Sequence, residues 1–346
     1  MIIVLKKDAE EAKVEKLKEN LVNRGLKLHL SQGEDTTIIG LVGDTTEIEP
    51  EQLQAFDVVE TVKRIKEPYK KANRSMHPQD SVIDICGKKF GGNHFQVIAG
   101  PCSVETREQM VEVAEDVKAS GAGLLRGGAF KPRTSPYDFQ GYGEKALKYL
   151  KRASDETGLL IVSEVMDASD LDMMCDYVDV LQIGARNVQN FKLLQAVGRS
   201  NKPVILKRGL ASTIREFLLA AEHIMYQGNR NVILCERGIR SFDSAFTRNV
   251  MDIASIPVIK KYSHLPIIVD PSHGTGQRYL IEPLAKAGLV VGADGIMIEV
   301  HHDPENALSD GKQSLPIPMF KDVMTRLNKF SESLHYEQNC LSANVN

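Results

Sequence analysis

Eight short apolar runs in this chain each end on a residue that can do chemistry. In order the ends are Cys102, Arg126, Glu164, Arg186, Lys207, Arg237, His273 and Glu299. A thiolate, an imidazole and a carboxylate are ligands for a divalent ion. Guanidinium and ammonium groups bind phosphate and carboxylate. If the runs are parallel strands closed into a barrel, all eight ends meet at one face, where such barrels keep their active sites. The last two strands then neighbour the first, which gathers His273, Glu299 and Cys102 on one side as a metal site. The cations Arg126, Arg186, Lys207 and Arg237 fall on the other side as a phosphate site.

Each motif also has a plainer reading. Cys102 follows Gly100-Pro101, a stiff turn, but a free Cys is as often a buried structural thiol. His273 lies in Asp270-Pro271-Ser272-His273-Gly274, and a lone loop histidine is more often structural than a ligand. Asp310 sits in a loop beside Gly311, where a surface acid is the ordinary reading. The four together change the balance. Cys102, His273, Glu299 and Asp310 suit one divalent ion of middling softness, Mn, Fe, Co or Zn, and the mixed donor set leaves its identity open. The run from Arg126 to Ser135 carries Gly127, Gly128, Lys131, Pro132, Arg133 and Thr134. Its glycines let backbone approach a ligand, its cations pair with phosphate, and its hydroxyls add donors. A neutral substrate would not need so many inward cations, so two anionic groups or two substrates are expected.

The elements that must position these residues alternate. Strands are expected at 95–99, 123–127, 159–163, 180–183, 204–207, 232–235, 266–269 and 295–300, with helices such as 106–119, 143–157, 213–226 and 245–260 between them. That alternation predicts an α/β fold, a (β/α)8 barrel over 81–330. A hairpin at 81–93 is placed to plug its bottom. Residues 1–67 read β-α-β-β-α-β, a small ferredoxin-like (ACT-like) α+β domain. Residues 68–80 read as a polar, proline-bearing linker, and 331–346 as a frayed tail. In that linker Lys71-Ala72-Asn73-Arg74-Ser75 looks like a sugar-phosphate synthase motif, but it precedes every barrel strand and so belongs to no catalytic face.

Bulk composition narrows the classes. The chain has 346 residues, 42% of them hydrophobic, and a net charge of −3, so neither nucleic acid nor an anionic membrane is an expected partner. No apolar run approaches the ~20 residues of a membrane span. Lys6, Lys7 and Asp8 near Met1 do not fit a signal peptide. Five scattered cysteines fit a reducing cytoplasm.

The loop Lys131-Pro132-Arg133-Thr134-Ser135, continued by Pro136-Tyr137-Asp138-Phe139-Gln140-Gly141, resembles 3-deoxy-D-arabino-heptulosonate 7-phosphate (DAHP) synthase. Gly100-Pro101-Cys102 before it and Ser272-His273-Gly274 after it extend the likeness, which is to the subgroup with a ferredoxin-like N-terminal domain and covers residue 2 to about 330. The resemblance implies condensation of phosphoenolpyruvate with erythrose 4-phosphate, the first step of the shikimate pathway, in a homotetramer. It implies that Cys102, His273, Glu299 and Asp310 hold the metal. It places Arg126, Lys131, Arg186, Lys207 and Arg237 on phosphoenolpyruvate, and Lys131, Arg133, Thr134 and Ser135 on the aldose phosphate. Asp270 counts with the substrate-binding set, and Cys102, Lys131, Glu164, Lys207 and His273 are the catalytic candidates. The related alternative is 3-deoxy-octulosonate 8-phosphate synthase, acting on arabinose 5-phosphate. In the resembling enzymes the N-terminal module binds a pathway end product, Tyr or Phe. The polar turn His29, Ser31, Gln32 and Gly33 is the expected effector site here.

Overall fold

The computed structural model describes residues 1–32, 37–42, 45, 48–64 and 67–343, without the side chains of Gln32 and of 335–343. The chain divides into two compact units, Met1–Asp80 with Lys261–His264, and Ser81–Lys260 with Leu265–Asn346.

The first unit is ferredoxin-like. Its antiparallel sheet runs in the order Lys27–Gln32, Thr37–Val42, Ile2–Leu5, Val59–Lys63. Alternation along each strand sends one set of side chains to each face. Ile3, Ile39 and Leu41 pack with Leu17, Leu21 and Leu53 from the helices Glu11–Asn23 and Pro50–Gln54. Ile2, Val4 and Ile38 take the opposite face and pack with Met76. A Cβ at Gly40 would displace the Met76 methyl, which rests directly on the glycine. His29 and Ser31 pair with Gly40 and Ile38 on the edge strand, which places them on this helix-free face. Gly33 and the Gln32 side chain lie outside the described residues.

The segment expected as a polar linker is folded within this unit. Tyr69, Ala72, Asn73 and Met76 are buried. Arg74 donates from Nε to the Ser263 carbonyl at 3.1 Å and from Nη1 to the Pro78 carbonyl at 2.9 Å. The prolines dominated the sequence reading, while the spaced Tyr69, Ala72 and Met76 supplied the burial. The Lys71–Ser75 run is thus a structural clamp.

The second unit is an eight-stranded parallel barrel. Its strands are Gln96–Gly100, Leu124–Arg126, Leu160–Val165, Val180–Ile183, Val204–Lys207, Val232–Glu236, Ile267–Val269 and Gly295–His301, in sequential order around the ring. The eighth pairs with the first from Gly295↔Gln96 to Glu299↔Gly100, and with the seventh at Val269↔Ile296, which closes the ring. Helices cover the outside, so these strands are buried on both faces and read as near-continuous apolar runs. One interior layer combines Ile98, Leu124, Val162, Val180, Ile205, Ile233, Ile268 and Met297 with Ile83, Ile85 and Phe90. The last three come from the hairpin Ile83–Ile85 and Lys88–Phe90. Its two turn residues, Cys86 and Gly87, both have positive φ, 49° and 88°, which matches the twist of a two-residue hairpin. The hairpin fills the end of the barrel opposite the reactive strand ends.

Two expectations are corrected. The helix expected over 245–260 begins only at Ser255 and ends at Tyr262. Pro257 is compatible only with a first turn. Upstream, Arg248 N–H and Asn249 Nδ2 donate to the Thr275 and His273 carbonyls, and Asp252 accepts from Arg208. The tail expected to fray beyond 330 continues the last helix, Ile317–Ala343. No Gly or Pro follows Pro318 to stop it. Among the described residues no helix is long and apolar enough to cross a membrane.

Phe90 is fully buried in the barrel plug. Phe90→Ala should therefore cost about 3–5 kcal/mol. Urea unfolding followed by far-UV circular dichroism checks this, and an unchanged midpoint would show that the hairpin does not seal the core.

Candidate active site

The first strand ends at Gly100, whose φ of +147° and contact with the second strand forbid a side chain, since a Cβ would strike the Arg126 carbonyl. The chain then turns through Pro101 and delivers Cys102, 1% exposed, to the barrel mouth. After the seventh strand a short helix, Pro271–Thr275, is capped by Asp270, whose Oδ1 accepts from His273 N–H at 3.0 Å. Asp270 Oδ2 also meets His273 Nδ1 at 2.7 Å and accepts from Lys207 Nζ at 2.6 Å. With Nδ1 held by a carboxylate, the imidazole presents Nε2 to the cluster, the arrangement common in metal-binding histidines. Glu299 lies on the eighth strand with its backbone N–H donated to Ser272 Oγ at 2.9 Å. Asp310 stands in the following loop with φ +52°.

Tertiary structure brings these four together. The ligand atoms of Cys102, His273, Glu299 and Asp310 all lie within 4.8 Å of one another. Cys102 Sγ is 3.1 Å from Asp310 Oδ2, and His273 Nε2 is 3.1 Å from Glu299 Oε1. Glu299 Oε1 also lies 3.0 Å from Arg126 Nη1, yet neither atom has a hydrogen-bond partner of good geometry. An orphaned buried carboxylate oxygen among S, N and O donors fits a divalent ion. Glu299 Oε2 accepts from Gln313 Nε2, which fixes the carboxylate's orientation.

The electrostatics follow from burial against pairing. Burial opposes charge on His273, but Asp270 and Glu299 raise it to about 9. Burial likewise opposes ionised Glu299 and Asp270. His273 and Arg126 nevertheless hold Glu299 well below the usual carboxylate range, and His273 and Lys207 do the same for Asp270. For Asp310, burial and Glu299 are outweighed by His273, a hydrogen bond from Cys102 and Arg248, leaving it lowered. Burial lowers Arg237, with Asp270 acting in the other direction.

Beside this cluster lies a cavity of about 460 Å³, bordered by Lys131, Arg133, Thr134, Glu164, Arg186, Lys207, Arg237, His273 and Asp310. Most of the expected site residues therefore share one space. Lys131 borders the cavity and its Nζ reaches the donor cluster, donating to Cys102 Sγ at 2.9 Å and to the Cys102 carbonyl at 3.0 Å. Glu164 Oε2 accepts from Gln182 Nε2 at 3.1 Å. Three placements differ from expectation. Arg126 lies against Glu299 of the donor cluster, because the second strand neighbours the first, and it borders a separate small cavity with Lys131 and Glu164. Asp270 is fully buried behind His273 and Lys207, where it orients both. Ser135 does not border the cavity; its Oγ accepts from Tyr137 N–H at 3.2 Å.

Sequence reasoning missed Arg240, Arg248 and Asn249, which also border the cavity. Arg248 pairs with Asp310 Oδ1 at 3.1 Å. Their signal was present in the polar run 239–249, but a helix was expected through part of it.

A parallel (β/α)8 barrel that gathers such groups at its strand ends is an enzyme scaffold with its working face there. Matches to known proteins define the enzyme further. Residues 57–335 match the model of the DAHP synthetase I family, and residues 1–67 match the DAHP synthase ferredoxin-like domain. The chain belongs to the DAHP synthetase I family and is a transferase. It is 49% identical over 339 residues to a phospho-2-dehydro-3-deoxyheptonate aldolase of Thermotoga maritima, covering 98% of this chain and 100% of that one. A crystal structure of that DAHP synthase superposes with a TM-score of 0.77 over 96% of this chain and 97% of its own. A truncated form of the T. maritima enzyme, also 49% identical, covers 77% of this chain and 97% of its own, with a TM-score of 0.72. A 2-dehydro-3-deoxyphosphooctonate aldolase of Syntrophotalea carbinolica is more distant, 34% identical over 71% of this chain and 94% of that one.

Removing one donor from the quartet should weaken divalent-ion binding by more than the 10–100-fold typical of outer partners. In Cys102→Ser, calorimetric titration of chelator-treated protein with Mn²⁺ should show that loss while the thermal melt is retained. Parental affinity in the variant would show that the quartet is not an ion site.

Proposed function

We propose that this chain is a DAHP synthase that condenses phosphoenolpyruvate with D-erythrose 4-phosphate, giving DAHP and inorganic phosphate at the entry to aromatic amino acid biosynthesis. One observation carries the reading. His273 and Asp310 of the donor cluster border the same cavity at the barrel mouth as Lys131, Arg133, Arg186, Lys207 and Arg237, with Cys102 and Glu299 close behind them.

Lys131, Arg186, Lys207 and Arg237, with Arg126 at the adjoining small cavity, neutralise the phosphate and carboxylate of phosphoenolpyruvate and fix its orientation. Arg133 and Thr134 take the aldose phosphate. The methylene carbon of phosphoenolpyruvate then forms the new bond to the aldehyde carbon, water adds at C2, and the phosphohemiketal loses phosphate by C–O cleavage. Lys131 borders the cavity with its Nζ beside Cys102, placed to give a proton to the aldehyde oxygen as charge develops there. Glu164 and Lys207 border the same space as proton holders for the entering water. Cys102, His273, Glu299 and Asp310 would hold one divalent ion, Mn, Fe, Co or Zn, which when bound supplies Lewis-acid polarisation of the aldehyde oxygen.

The alternative substrate is arabinose 5-phosphate, as the names of the more distant relatives suggest. Pro132 and Thr134 and the ferredoxin-like unit favour erythrose 4-phosphate. Turnover with each aldose decides, and preference for the five-carbon sugar would reverse the assignment. Arg186→Ala should weaken phosphoenolpyruvate by roughly 2–5 kcal/mol, the scale for removing one partner of a charged contact. Unchanged KM and kcat would remove Arg186 from that site.

The first unit is assigned to feedback control, with Tyr or Phe bound near His29 and Ser31 in a homotetrameric enzyme. A ligand that favours one conformational state shifts the population by its differential affinity. Deleting residues 1–66 should leave activity that no longer responds to either amino acid. Equal inhibition of the truncated enzyme would move the effector site into the barrel.

A further inference from the structure

Asp310 is the quartet member with the least help from regular structure. Glu299 is on a strand, Cys102 comes two residues after one, and His273 lies within the short helix Pro271–Thr275. Asp310 rides in an irregular loop after the eighth strand and holds φ +52°, a conformation unusual for a residue with a side chain. Such backbone persists only where its surroundings hold it.

Glu105 supplies part of that hold. Its Oε1 accepts from Leu308 N–H at 2.9 Å, two residues before Asp310. The same oxygen lies 3.2 Å from Nε2 of His301, which is two residues beyond Glu299 and 2% exposed. Glu105 itself follows Cys102 by three residues. Its backbone N–H donates to Gln109 Oε1 at 2.8 Å, and Gln109 Nε2 lies 2.8 Å from His301 Nε2. His301 Nδ1 accepts from Asp303 N–H at 3.0 Å, at the start of the same loop. One carboxylate thus fastens together the three segments that carry Cys102, Glu299 and Asp310, without being a donor in the cluster. Glu105 is mostly buried, its side chain 12% exposed, so the tie is protected from competing water.

We propose that Glu105, working with His301, is a positioning residue that sets the Asp310 loop and so completes the ion site; the inference rests on reading the quartet as that site. The full-length protein, stripped by chelator, is titrated with Co²⁺ and followed by calorimetry and by absorption. The thiolate-to-cobalt band reports Cys102, and the d–d bands report the rest of the coordination. Glu105→Ala should lower Co²⁺ affinity 10–100-fold, the range for partners that orient a ligand. It should keep the thiolate band and alter the d–d bands. Asp310→Asn should give a comparable loss, and the double variant should lose little more than either single one, because both remove the same contribution. Glu105→Gln can still accept from Leu308 N–H and should bind within a few-fold of the parent. If Glu105→Ala does not fold, Glu105→Asp, which keeps the charge but shortens the reach, carries the same expectation as Glu105→Ala. Parental affinity and spectrum in Glu105→Ala or Glu105→Asp, or fully additive losses in the double variant, overturn the role of Glu105 alone. Failure of the parent itself to bind Co²⁺ overturns the ion site and this inference with it.

Discussion

The ladder between the eighth and first barrel strands is the constraint from which the site follows. Its five register pairs end at Glu299↔Gly100. That pairing puts the last carboxylate of the chain's barrel beside the turn that delivers Cys102. The residues it joins are far apart in sequence, and the loop-closure entropy is met by a whole ring of strands rather than by the site itself. With the ring closed, the second strand brings Arg126 against Glu299, and the seventh brings His273 from the other side.

Closing the ring also concentrates charge in a dry place. Glu299 and Asp270 are fully buried, and isolated buried carboxylates would be costly. Asp270 satisfies itself by serving two neighbours, Lys207 and His273, through one oxygen. Glu299 is left with one oxygen lacking a well-aligned partner although His273 and Arg126 stand close. That difference separates the two acids in function. Asp270 is a finished ion-pair centre that orients others, whereas Glu299 retains capacity for a ligand. The cavity beside it is cationic because Lys131, Arg186 and Arg237 arrive from the ends of separate strands or the loops after them. A bound polyanion would offset the mutual repulsion of these cations.

The two units differ in how their order is obtained. The ferredoxin-like unit buries a helix-covered face through Leu17, Leu21, Ile39 and Leu53, and uses Met76 on the other. Hydrogen bonds from Arg74 to Ser263 and Pro78 order the segment after it. A stretch that reads as linker because of two prolines can still be ordered when a few apolar residues find a surface.

Period and punctuation in the sequence were enough to determine the alternation of strands and helices, the eight reactive strand ends, the plugging hairpin and the β-α-β-β-α-β module. These are local signals, set by side-chain spacing and by turns such as Cys86-Gly87, whose positive φ values match a hairpin. The site was legible because a barrel converts chain order into angular position, so Cys102, His273 and Glu299 could be placed from strand order alone. Other features depended on contacts the chain order does not encode. Arg126 joined Glu299 and the donor cluster through strand adjacency, and Asp270 withdrew behind His273 because two partners satisfied it there. Ser135 turned onto its own loop, and the 245–254 segment gave up helix, with Arg248 and Asn249 donating to the Thr275 and His273 carbonyls. Glu105 and Gln313 left no signature in the sequence, because a residue that orients another is defined only by the distance between them, and that distance exists only once the barrel has closed.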